Sequence, residues 1–207
     1  MTRLEVLSEE LSAEKALDIL LPKIVPGTPY KIRQFRGKQS LLTRLPQLLR
    51  GYTARLAWEQ LKVVMLIDRD SDNCLQLKDR LQRIATESGL ATTEGSTRHV
   101  TILNRIVIRE LESWFLGDVS ALRSVYPRVP ASLGEREGFR DPDAISGSAA
   151  RALERVLGEH GYHPAGLQKV QAAQAIAPHM DVESNRSKSF QVFRDGLRRL
   201  VSEAPNA

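Results

Sequence analysis

The chain has 207 residues, of which 42% are hydrophobic and 27% charged, and this composition is typical of a globular protein that buries a sizeable core. No stretch approaches the roughly 20 consecutive apolar residues that cross a bilayer, so we expect a soluble protein without a membrane partner. The net charge of +5 permits an anionic partner such as nucleic acid without requiring one.

The first residues and the cysteine content indicate a compartment. Residues 1–10 lack the apolar run of a signal peptide, and the single cysteine, Cys74, has no partner in the chain for a disulfide. Both observations favour a cytoplasmic protein. The four histidines are scattered without metal-binding spacing, so we predict no zinc site.

The first sixty residues alternate short apolar runs with amphipathic stretches. Residues 4–7 predict a strand, and an apolar stripe over residues 17–24 predicts a helix that Ser12 would cap. Residues 30–35 predict a second strand, which Gly37, Lys38 and a leucine-rich helix follow. A further short helix or connection is expected over residues 53–60.

The central stretch of the chain is KVVMLIDRDSD at residues 62–72. Its apolar run has no helical period and predicts a strand buried on both faces of a parallel sheet. Asp68 and Asp70 follow it and can point the same way, about 7 Å apart at strand spacing, where they would repel without a cation. Oxygen ligands of this kind suit Mg²⁺ or Mn²⁺. The alternative is that the acids only solubilise the strand end and Asp72 caps the helix over residues 73–88.

Another apolar, β-branched stretch spans residues 99–109, and because Asn104 and Arg105 interrupt it, we predict a hairpin or a bulged strand. Acidic residues follow three predicted strand ends: Glu9 and Glu10, Asp68 and Asp70, and Glu110 and Glu112. The alternation of strands and helices predicts a doubly wound α/β unit with right-handed crossovers.

Beyond about residue 126, proline and glycine predict a long loop, followed by helices over residues 148–157, 166–177 and 189–202. We therefore divide the chain into an α/β core over residues 1–125 and a helical extension over residues 126–207 that packs on it. Just before the last helix, residues 183–189 combine two cations with three hydroxyls, and a helix start there could hold a phosphate. The alternative is an ordinary helix cap by Ser187 or Ser189.

These motifs resemble a known family. A strand followed by an acid, Glu9 in VLSEELSAEKAL, and a later strand ending in Asp68-Arg69-Asp70 resemble the Toprim domain of topoisomerases, primases and overcoming-lysogenization-defect nucleases. The GK pair after the second strand, LIDRDSDNCLQLK, RELESWFLGD and NRSKSFQVF more closely resemble uncharacterised bacterial Toprim-like proteins grouped as a domain of unknown function. The resemblance implies a Toprim-like, Rossmann-like, mostly parallel sheet flanked by helices, with an α-helical carboxy-terminal extension.

The same resemblance implies a set of site residues. Glu9 would be a general acid or base or a metal ligand, and Lys38 or Lys188 would neutralise charge on the reacting phosphoryl group. Glu10 stands where Toprim proteins usually have glycine, which makes it a rival to Glu9. The implied ligands of Mg²⁺ (or Mn²⁺) are Glu9, Asp68, Asp70, Asp72, Glu110 and Glu112. The residues expected to bind substrate are Arg33, Arg36, Lys38, Arg186, Ser187 and Lys188.

The function that we expect is a metal-dependent phosphodiesterase acting on DNA or RNA, as an effector in a bacterial phage-defence system with an ATPase partner. The sequence leaves a homodimer open. One alternative is a non-catalytic interaction module whose acids contact a basic partner. Another is a phosphatase with Asp68 as nucleophile, although no later acidic pair supports it. A calcium loop fails because Asn73 stands where glycine is required.

Overall fold

The computed structural model describes residues 2–69, 72–92, 101–107 and 110–202. Its strands are β1 (Arg3–Ser8), β2 (Tyr30–Gln34), β3 (Leu61–Asp68) and β4 (Ile102–Val107). They form one parallel sheet in the order β2-β1-β3-β4. The strand order therefore reverses between β1 and β3, the two central strands. This architecture confirms the predicted Rossmann-like α/β class.

The helices begin and end close to the predicted positions in most cases. They are α1 (Leu11–Ile24), α2 (Lys38–Arg55), α3 (Cys74–Glu87), α4 (Glu112–Leu116), α5 (Val119–Val125), α6 (Ala149–Glu159), α7 (Lys169–Ile176) and α8 (Lys188–Ser202). Short 3-10 helices span Ala131–Glu135 and Ala177–His179. Helix α2 continues into the stretch predicted as a separate short helix. Within the described ranges, no helix is both long and apolar enough to cross a membrane.

Strand β4 differs from the sequence-based prediction. Instead of forming a hairpin or a bulge, it pairs with β3 in unbroken parallel register, from Val63 opposite Ile102 to Asp68 opposite Val107. The polar Arg105 is tolerated because β4 is at the end of the described sheet, where its side chain is only partly buried. The amide atoms of Asn104, in contrast, are buried without a hydrogen-bond partner among the described residues. The Arg105 guanidinium reaches α8 and donates to the carbonyl of Val192 at 3.3 Å. The prediction of a hairpin or bulge was wrong.

Helices cover both faces of the sheet. Leucines of α2 and α3 pack against one face, and α1 packs with the helices after residue 126 against the other. In this second core Trp114 contacts the rings of Phe190 and Phe193, with centroids 5.1 Å apart in both pairs. Trp114 and Phe115 are fully buried, and α8 docks through the apolar stripe that includes Phe190, Phe193 and Leu197.

Two predicted helix caps are displaced by one or two residues. The side chain of Asn73, not Asp72, caps α3 by accepting from the backbone N–H groups of Leu75 and Gln76. Ser12 does not cap α1 but lies within it, and its hydroxyl donates to Glu10 at 3.1 Å. Gly89 follows α3 with a φ of +82°, which glycine adopts without strain.

Candidate functional site

Two predicted acids meet where the strand order reverses. Glu9 directly follows β1 and Asp68 is the last residue of β3, and these strands are neighbours. The Glu9 carboxylate accepts a hydrogen bond of 2.7 Å from the backbone N–H of Asp68, and both side chains are buried. In open α/β sheets, ligands bind outside the strand carboxyl ends at this reversal. The pair therefore lies at the place in the fold where a ligand is expected.

A third acid comes from the segment after β4. Glu112 opens α4 and is only 1% exposed, and neither of its carboxylate oxygens has a hydrogen-bond partner among the described residues. Burial raises the pKa of Glu112 to about 7, even though the nearby Lys169 favours the charged form. A buried carboxylate without hydrogen bonds is costly, because its lost hydration is not replaced.

Glu110, two residues before Glu112, has a structural role at the start of α6. Its Oε2 atom accepts from the hydroxyl of Ser148 at 2.6 Å and from the backbone N–H of Ala150 at 3.0 Å. These groups belong to the start of α6, where a negative charge is favourable because the helix dipole is positive there. Glu110 thus anchors α6 beside the other acids.

Lys169, the first residue of α7, places its ammonium among these acids. Its Nζ atom lies 3.4 Å from Glu10, 3.5 Å from Glu112 and 3.9 Å from Glu110. Burial alone would lower the pKa of Lys169, but the surrounding carboxylates outweigh it and raise that pKa to about 12. Lys169 is therefore a protonated counter-ion that several carboxylates share. We call Glu9, Glu10, Asp68, Glu110, Glu112 and Lys169 the acidic cluster.

Sequence reasoning missed Lys169. It is 159 residues from Glu10 in the chain, and its predicted helix carried no recognisable motif. One signal existed: a lysine at the first position of a helix opposes the helix dipole, which disfavours cations at that end. A cation in such a place indicates a compensating negative partner in the tertiary structure.

The donor atoms of the acidic cluster fit a hard divalent cation. They are carboxylate oxygens, which Mg²⁺ and Mn²⁺ prefer, and Glu112 offers two that make no hydrogen bond to any described residue. In the structure, the ammonium of Lys169 supplies the positive charge. Among the described residues, no three His, Cys, Asp or Glu side chains are already arranged to hold a metal ion. Asp70 lies outside the described residues.

The other predicted residues near this edge belong to the start of α2. Lys38 donates to the carbonyl of Arg69 at 3.3 Å and pairs with Asp72 at 3.0 Å, which places the Asp72 carboxylate against a cation. The backbone N–H of Gly37 donates to the carbonyl of Glu9 at 3.0 Å. The start of α2 is thus held beside Glu9, and the neighbouring Arg36 is exposed.

The polar segment before α8 is bound within the protein. Ser187 and Ser189 each donate from their hydroxyls to Asp143 at 2.9 Å, and Ser187 accepts from the backbone N–H of Phe190. Ser187 therefore caps α8, which confirms the alternative that the sequence left open, and Asp143 supplies the anion at this helix start. Arg186 donates to the carbonyl of Gly134 at 2.9 Å, whereas Lys188 is exposed.

Comparison with known proteins adds one finding. A family model described as a domain of unknown function (DUF4276) matches residues 8–198. No curated protein and no solved structure matches the chain. The matched residues include every member of the acidic cluster.

Proposed function

The chain belongs to the DUF4276 family of domains of unknown function, and from the acidic cluster we propose that it is a metal-dependent phosphodiesterase of the Toprim-like type that cleaves DNA or RNA. The observation that carries this proposal is the meeting of Glu9 and Asp68 at the strand-order reversal. An acid after the first strand next to an aspartate at the end of a central strand is the arrangement that the Toprim resemblance implies.

We assign the metal ligands to Glu9, Asp68, Asp70 and Glu112, whereas Glu110 is committed to the start of α6. Mg²⁺ or Mn²⁺ bound there would polarise the phosphoryl group and stabilise the charge that develops on its oxygens. Glu112 suits this role because both of its oxygens are buried without hydrogen bonds to the described residues, so a cation would replace hydration that the carboxylate has lost.

Lys169 and Lys38 supply the positive charge of the site. Carboxylates this close repel each other, and the Lys169 ammonium offsets that repulsion. If these carboxylates held a divalent ion, the Lys169 ammonium would be available to pair with a substrate phosphate. Lys38, held at the end of β3, adds a second cation at the same edge of the sheet.

Metal binding and cleavage test this proposal with separate measurements. We expect calorimetric titration with Mn²⁺ to show binding, and labelled DNA or RNA to be cleaved with Mg²⁺ or Mn²⁺ but not with EDTA. Glu9→Gln and Asp68→Asn should weaken Mn²⁺ binding at least tenfold and lower cleavage about a hundredfold or more. Asp79→Asn, which alters an exposed acid of α3, is the matched control. Absence of Mn²⁺ binding, or equal binding by all variants, would overturn the assignment.

The interaction-module alternative is favoured by one observation, namely that Lys169 already neutralises part of the acidic cluster. A module that uses its acids only to contact a basic partner needs no divalent ion. Under this alternative Mn²⁺ would cause no thermal shift that depends on Glu9 or Asp68, whereas our proposal requires Glu9→Gln and Asp68→Asn each to reduce that shift.

A further inference from the structure

A cavity of about 640 Å³ lies between β2 and α2, apart from the acidic cluster. Its volume is within the range of small-molecule sites. The lining residues that the structure describes include Arg33, Arg44 and Arg55 and no acid, with the partly exposed Phe35 and Leu48 supplying aromatic and apolar surface. The cavity therefore combines three guanidinium groups with a surface on which a planar ring can pack.

One face of α2 forms the wall of this cavity. Positions 44, 48, 51 and 55 recur every three or four residues, so they share a face of the helix. The leucines at positions 41, 45 and 49 lie on another face and fill the core. Arg33 completes the charged rim from β2, the strand at this end of the described sheet.

A buried carboxylate fixes two of the three arginines. Glu5 of β1 is 1% exposed and accepts from Arg33 at 3.2 Å and from Arg55 at 3.1 Å. The hydroxyl of Tyr52 donates to it at 3.0 Å, and the same ring lies 5.5 Å from the Arg55 guanidinium. Arg55 also pairs with Glu59 at 2.6 Å. These guanidinium groups are thus partly neutralised, but they are held in place before any ligand arrives, which lowers the entropic cost of binding an anion.

Arg44 is the third cation and differs from the other two. Its side chain is exposed and has no hydrogen bond or ion pair with the residues that the structure describes. A guanidinium can bind a phosphate through two parallel N–H donors. Arg44 is thus available to a ligand at the mouth of the cavity.

Gly51 contributes no side chain to the wall of the cavity. It lies inside α2, where glycine is about 1 kcal/mol less favourable than alanine. A Cβ atom at this position would meet no described atom within 4 Å, so packing within the described chain does not require glycine. The missing side chain instead keeps the cavity open beside Tyr52.

We propose that this cavity binds a nucleoside phosphate, with the phosphate on the arginines and the base against Phe35 and Leu48. Such a group has two sources, a free nucleotide or one unit of a nucleic-acid strand. Glu5 and Glu9 are four residues apart along β1 and its end, or about 13 Å at strand spacing, so one strand can reach both regions. For this second source the inference rests on the proposed function, whereas binding of a free nucleotide does not.

Titration calorimetry in EDTA tests the cavity without a contribution from a metal site. The probes are adenosine 5′-monophosphate, inorganic phosphate and a five-nucleotide single-stranded DNA. We expect the nucleotide to bind more tightly than inorganic phosphate, and Arg44→Ala and Gly51→Leu each to weaken it about tenfold or more. Arg50→Ala, an exposed arginine of α2 outside the cavity lining, and Gly158→Leu, a helical glycine of α6 with open space around it, are matched controls that should bind normally.

The outcomes separate the two sources and the two proposals. Equal affinity for nucleotide and oligonucleotide indicates a free nucleotide, and an oligonucleotide that binds at least tenfold tighter indicates a strand. Asp68→Asn should keep nucleotide binding, so a failed nuclease proposal would leave this inference standing. Gly51→Leu should melt no lower than wild type, because leucine favours a helix more than glycine does. Absence of binding by all three probes, or normal binding by Arg44→Ala and Gly51→Leu, overturns the inference.

Discussion

Two carboxylates, Glu5 beside the arginine-lined cavity and Glu112 in the acidic cluster, are equally buried at 1% exposure but have opposite electrostatics. Burial alone would raise the pKa of Glu5, yet hydrogen bonds from Arg55, Tyr52 and Arg33 outweigh it and lower that pKa below 4.5. Glu112 has no such bonds among the described residues, and burial raises its pKa to about 7. Hydrogen bonding, not burial, decides whether a buried acid is part of the scaffold or is left for a ligand.

Removing the satisfied carboxylate should have the largest effect on stability. Glu5→Gln leaves Arg33 and Arg55 without their shared partner, and breaking a buried ion pair in this way costs about 3–4 kcal/mol. Chemical denaturation at pH 7 measures the free energy of unfolding, with Glu87→Gln on the exposed face of α3 as the control. A loss no larger than that of the control would show that the arginines do not depend on Glu5.

Replacing the Glu112 carboxylate with a neutral amide should instead raise the free energy of unfolding at high pH. Because the folded-state pKa of Glu112 is raised from 4.5 to about 7, its contribution to stability is present below pH 4.5 and lost as the pH rises through 7. In metal-free buffer this loss is on the order of 3 kcal/mol, and Glu112→Gln should remove it.

The measurement is the free energy of unfolding of wild type and Glu112→Gln at pH 4.5, 6 and 8. Their difference should change across this interval, with the variant the more stable at pH 8. If the two proteins instead changed in parallel from pH 4.5 to 8, Glu112 would not be a buried acid with a raised pKa.

Removing the shared cation should have a smaller effect. Lys169→Met should cost about 1–2 kcal/mol without metal, less than a fully buried pair, because the ammonium is partly exposed. Mn²⁺ should recover part of this loss if it occupies the same carboxylates, since a ligand that binds only the folded state stabilises it. Thermal melting with and without Mn²⁺ measures both effects, and Lys31→Met on the exposed side of β2 is the control. If Mn²⁺ did not reduce the loss, it would not bind the carboxylates that Lys169 contacts in the wild type.

The smallest effect should come from a single hydrogen bond to Glu5. Tyr52→Phe removes the buried hydroxyl donor at 3.0 Å and should cost about 1 kcal/mol. Tyr30→Phe removes an exposed hydroxyl that donates to Asp18 and should cost less than about 0.5 kcal/mol. Denaturant titration of the pair compares them directly. Equal losses would mean that burial does not strengthen the dependence of Glu5 on its donors.

Local pattern was sufficient to predict the sheet and part of the site. The apolar run of β3 and the acids Glu9 and Asp68 are contiguous features of the sequence, and parallel strands always bring their carboxyl ends to the same edge. Two parallel strands that each end in an acid are therefore expected to bring those acids to the same edge of the sheet before any packing is known. Strand β4 was recognised as extended, but its pairing was not, because polar residues are tolerated at the end of a sheet for reasons that the sequence does not show.

The tertiary structure alone decided how the charges are satisfied. Lys169 reaches Glu10 across 159 residues, and Asp143 reaches Ser189 across 46, so no local spacing could reveal either pair. Glu5, which lies between the buried Leu4 and Val6, becomes a scaffold residue only because α2 brings Tyr52 and Arg55 onto it. Secondary structure follows from short-range sterics and the period of the hydrophobic residues. Whether a buried side chain is charged and paired depends on partners that only the folded chain brings together.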